Sequence, residues 1–69
     1  MRRLAEYIDP GTMYTLYQPE GAAFLVLLKS KKGNTNWSRR LMNKTDALAT
    51  LLAYSLPEDF AKRVQEFFG

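Results

Sequence analysis

Sixty-nine residues, 46% of them hydrophobic, suffice for one globular domain (1–69) with a small core and are too apolar for a disordered chain. The lack of cysteine and histidine excludes disulfides and thiolate chemistry and removes the commonest general base and metal ligand. The net charge of +3 is unevenly spread, because residues 21–45 hold six cations and no acid while the rest holds four cations against seven acids.

The chain opens with "RLAEYI" (3–8), which reads either as an edge strand or as one helical turn. "DPGT" (9–12) suits a type II turn, with Pro10 second and Gly11 where φ must be positive. "MYTLY" (13–17) and "AAFLVLLKS" (22–30) are rich in β-branched, aromatic and large aliphatic residues and read as strands on either side of the turn "QPEG" (18–21). The longest apolar run, "AAFLVLL", falls far short of the roughly 20 residues a helix needs to cross a bilayer. "MRR" is followed by two acids and a proline rather than an apolar run, so a cytoplasmic location is expected. "KKGN" (31–34) is the next turn and "TNWSRRLM" (35–42) the next strand.

After Met42 the period becomes helical. Asn43 or Thr45 can cap a helix with Asp46 in its first turn, and Leu48, Leu51, Leu52 and Ser55 follow at helical spacing. "SLPE" (55–58) matches a capping box, Ser55 with Glu58, opening a second helix whose apolar stripe is Phe60, Val64, Phe67 and Phe68. The expected fold class is α+β: a small antiparallel meander of three or four strands followed by two C-terminal helices.

Turn length sets which side chains share a sheet face. A two-residue loop at "KKGN" puts Phe24, Val26 and Leu28 with Trp37, Arg39 and Leu41, and Leu25, Leu27, Lys29 and Lys31 with Ser38, Arg40 and Met42. A two-residue loop at "QPEG" adds Met13, Thr15 and Tyr17 to the first face. A three-residue loop reverses one strand's assignment. Two helices cover one face of such a sheet, leaving the other for a second copy of the protein, a partner or the N-terminal segment.

The functional signal lies in "KSKKGNTNWSRRLMNK" (29–44), which carries six of the ten basic residues and the only tryptophan. Lys29, Lys31, Lys32 and Lys44 suit phosphate neutralisation, Arg39 and Arg40 project to opposite faces, and Trp37 with Tyr14 or Tyr17 offers stacking platforms. The expected binding residues are therefore Lys29, Lys31, Lys32, Trp37, Arg39, Arg40, Lys44 and Tyr17. The bland reading is that edge lysines keep a hairpin soluble and Trp37 is core. Glu58 and Asp59 are neighbours on a helix start rather than a facing acid/base pair, and Ser38 has no histidine to activate it. No enzyme activity, cofactor, metal site or small-molecule substrate is expected. The expected function is a small binding protein for nucleic acid, with single strands preferred. The alternative is an interaction module or inhibitor that docks on an acidic surface of a larger protein. A homodimer through the uncovered sheet face fits either.

Overall fold

Pro10 and Gly11 form the two-residue loop of the first hairpin. Asp9 pairs with Thr12 across it, and Gly11 takes φ +79°, where a Cβ is strained. The computed structural model describes residues 2–31 and 36–69. It contains β1 (Arg2–Asp9), β2 (Thr12–Gln18), β3 (Leu25–Lys31), β4 (Trp37–Leu41), α1 (Lys44–Ala53) and α2 (Glu58–Phe68). The strands form one antiparallel sheet in the order β1-β2-β3-β4, so this is an α+β fold and "RLAEYI" is an edge strand. The second turn closes through the Ala22 N–H to the Pro19 carbonyl at 3.0 Å, with Gly21 at φ +73°. The "KKGN" turn lies outside the described residues apart from Lys31.

β1 carries a bulge between Arg3 and Ala5. Ala5 is buried in the core and Leu4 packs against it, so two neighbouring residues serve the same layer. Beyond the bulge, Arg3 pairs with Tyr17 and Glu6 with Thr15, on the opposite face.

The β2–β3 register keeps Met13, Thr15 and Tyr17 on one face with Val26 and Leu28, as expected, although the connection is longer than a two-residue loop. The β3–β4 register overturns the other assignment. Leu25 pairs with Leu41, Leu27 with Arg39 and Lys29 with Trp37. An odd number of residues separates Lys29 from Trp37, whereas a two-residue loop requires an even number, and one step of register moves every side chain of β4 to the other face. Trp37, Arg39 and Leu41 therefore share the face of Leu25, Leu27 and Lys29, and Ser38 and Arg40 share that of Val26 and Leu28.

The helices cover the first of these faces. Asn43 caps α1, its Oδ1 accepting from the Asp46 N–H at 2.8 Å. Asn43→Ala is expected to cost about 1 kcal/mol of stability, measurable by urea denaturation. The buried stripe of α1 is Ala47, Thr50 and Leu51, rather than Leu48, Leu51 and Leu52; Leu52 is 81% exposed. Small residues at 47 and 50 let the helix approach its neighbours closely, and Thr50 satisfies its hydroxyl by donating to the Asp46 carbonyl at 2.9 Å.

Ser55 does not form the expected capping box. It ends α1 instead. Its N–H donates to the Leu52 carbonyl at 3.0 Å and the Leu56 N–H to the Leu51 carbonyl at 3.1 Å, the paired bonds of a Schellman motif. Ser55 accordingly sits at φ +53°, and Pro57 takes the N-cap of α2 with no side-chain bond. Because glycine adopts this backbone freely, Ser55→Gly should raise stability by about 0.5–1 kcal/mol in the same assay.

α2 follows the expected stripe: Phe60 and Val64 are fully buried, and Phe67 and Phe68 are half-buried in an edge-to-face pair at 4.9 Å. α2 packs over β1 and beside α1, while α1 lies along β4. The core is Leu16, Leu25, Leu27, Leu41, Ala47, Leu51, Phe60 and Val64, with Ala5 at its rim. The shortest dimension of the backbone, 16 Å, corresponds to one sheet and one helical layer, so no described element covers the second sheet face. No described helix is long and apolar enough to cross a membrane.

Candidate functional site

The two helices cover only part of their face. At the other end, one rung of the ladder crosses the whole sheet: Tyr7 on β1 pairs with Tyr14 on β2, Tyr14 with Lys29 on β3, and Lys29 with Trp37 on β4. All four side chains point to the helix side. Tyr54, the C-cap residue of α1, closes over the rung. Its ring centroid lies 5.4 Å from that of Trp37 and 6.1 Å from that of Tyr14, and Tyr14 stacks on Tyr7 at 6.3 Å. These spacings are those of favourable aromatic pairs.

Lys29 lies inside this row. Its Nζ is 5.4 Å from the Tyr54 ring centre and 5.8 Å from that of Tyr14. The ammonium thus meets two ring faces. Lys31 is exposed on the same face, one rung further out. Lys29, Lys31, Trp37 and Tyr54 line a cleft of about 310 Å³. Trp37 is 38% exposed, so it is neither fully core nor free in solvent: one part packs on Tyr54 and the rest faces the cleft.

The remaining expected residues lie elsewhere. Arg39 is on the helix face but pairs with Asp46 at 3.1 Å. Arg40 is on the opposite face, its guanidinium 5.4 Å from the Phe24 ring centre. Tyr17 is also on that face, beside Val26. Lys44, at the start of α1, donates to the Gly69 carbonyl at 3.4 Å, placing a cation at the C-terminal end of α2. Lys32 lies outside the described residues. Among the described residues the basic stretch is therefore not one surface, and Lys29, Lys31 and Trp37 are the ones that converge. Arg39 and Arg40 lie on opposite sheet faces, as their neighbouring positions on one strand require.

Tyr54 and Tyr7 were missed by reading the sequence. Tyr7 was within reach of it: the two-residue loop at Pro10–Gly11 sets Tyr7 opposite Tyr14. Tyr54 required the helix docking. Among the described residues no group of His, Cys, Asp or Glu is arranged to hold a metal ion. No family model, no curated protein and no solved structure matches this chain.

Proposed function

We propose that the protein is a small, non-enzymatic, cytoplasmic binder of single-stranded nucleic acid, gripping it in the cleft of Lys29, Lys31, Trp37 and Tyr54. The observation that carries this reading is the row of aromatics across the sheet with lysines set among and beside it. A half-exposed indole supplies a π-face to any unpaired base, and adjacent ammonium groups neutralise the phosphates of the same strand. A duplex keeps its base faces stacked, so it has no use for Trp37, and single strands are preferred. Among the described residues the cleft is lined by lysines and aromatics rather than by the Arg, Asn or Gln that read base edges bidentately, so binding tolerates many sequences.

Trp37 is the only tryptophan, and its fluorescence reports on the cleft directly. Titration with single-stranded and duplex oligonucleotides at low and moderate salt should give quenching by single strands that fades as salt rises. No change in fluorescence, with no binding in a mobility assay, would overturn the proposal. The cleft would then pass to the alternative reading, an acidic surface on a protein partner.

A further inference from the structure

The uncovered sheet face carries a second pattern. Its middle is apolar: Val26 and Leu28 on β3, Tyr17 and Thr15 on β2, with Phe24 beyond one end and Met13 and Ile8 at the other. Val26 and Thr15 are already buried by their neighbours, whereas Ile8 is 69% exposed. Among the described residues, charges on this face stand at the two edges. One rung reads Arg3, Tyr17, Val26, Arg40 from β1 to β4, and the next reads Glu6, Thr15, Leu28, Ser38. An apolar centre with a polar rim is the anatomy of a protein interface.

We infer that this face is the interface of a two-fold dimer with a second copy of the chain. The charge pattern selects both the occupant and its orientation. A two-fold axis running across the strands, between these two rungs, lays β1 on β1 and β3 on β3. Each Arg3 then faces the second copy's Glu6, each Arg40 faces a Ser38, and Val26 meets Leu28. An axis running along the strands would instead stack Arg3 on Arg40, two cations on one rung. The patch is thus self-complementary in one isologous arrangement, with strands aligned as in sheet-on-sheet packing. Arg3 and Glu6 already pair within one chain at 3.1 Å, and the dimer turns that pair into a four-charge network.

Strands of eight, seven, seven and five residues side by side present a flat footprint of roughly 430 Å² per protomer at about 3.3 Å per residue and 4.8 Å between strands. Two such footprints come close to the roughly 1,000 Å² of a biological interface before side-chain relief is added. A concentration-dependent dimer is the result. It leaves the Trp37 cleft on the outer side of each sheet, so it stands or falls independently of nucleic-acid binding.

Sedimentation velocity over a wide concentration range tests it, with circular dichroism confirming that each variant is folded. The wild-type chain should pass from monomer to dimer. Glu6→Arg places cations against cations and should weaken the dimer more than about tenfold. Combining Arg3→Glu with Glu6→Arg restores every opposite-charge contact and should recover it. Leu28→Glu, on the half-exposed centre of the face, should abolish it. A wild-type chain that stays monomeric throughout would overturn the inference. So would a dimer unmoved by Glu6→Arg and Leu28→Glu, or one lost in Glu6→Arg and not recovered by the charge swap.

Discussion

Phe60→Ala is expected to cost about 3–5 kcal/mol, the range for truncating a buried aromatic ring. Phe60 is fully buried and is the first large residue of α2 to enter the core among Leu16, Leu25, Leu27 and Leu41. A chain of this length has roughly 3–10 kcal/mol of total stability at about 0.05–0.15 kcal/mol per residue, so the variant loses a large share of its folded population. No disulfide offsets the loss. Urea denaturation followed by far-ultraviolet circular dichroism, at one fixed protein concentration, measures it. Phe67→Ala, half-buried on the same stripe, should cost clearly less. If Phe60→Ala costs under about 1 kcal/mol, α2 does not close the core as described.

Trp37→Ala should weaken single-strand binding by about 5- to 150-fold, equivalent to the roughly 1–3 kcal/mol of one stacked base. Labelled-oligonucleotide anisotropy is the appropriate readout, since the substitution removes the intrinsic fluorophore. Lys29→Met keeps the aliphatic stem against Tyr14 and Tyr54 while deleting the charge, and it should lower the salt slope by about 0.7 for a single strand. Lys31→Met should do the same. Arg40→Ala, on the far face, should leave affinity and slope nearly unchanged. If Arg40→Ala weakens binding as much as Trp37→Ala, the strand runs over the open face and the cleft assignment fails.

Much of the fold was legible in the residues. Pro10–Gly11 announced its turn because only positive φ closes a two-residue loop there. Asn43 announced a helix start because its side chain can reach the N–H three residues on. The spacing of Phe60, Val64 and Phe67 gave α2 its buried face. Other features depended on what local patterns leave open. The face of Trp37 hinges on the parity of the connection between β3 and β4, and a single residue reverses it. Ser55 with Glu58 fits a capping box, but the preceding helix used Ser55 to terminate itself, and the same letters serve both ends. Likewise, the five described cations of the basic stretch are parted between two sheet faces and a helix start, because a strand alternates and a helix turns.

The sheet is a meander, so each strand meets the one made just before it, whereas α2 reaches back over β1. Local pairing of this kind forms quickly. On the ribosome, however, the order of synthesis separates sheet from cover. Once Lys31 has been added, Leu16, Leu25 and Leu27 are all in place, but Phe60 and Val64 are still to come. At about 5–20 residues per second, the residues up to Phe68 take roughly 2–7 s. A sheet that forms before the helices dock is bare on both faces, so the eleven residues of α2 compete with aggregation.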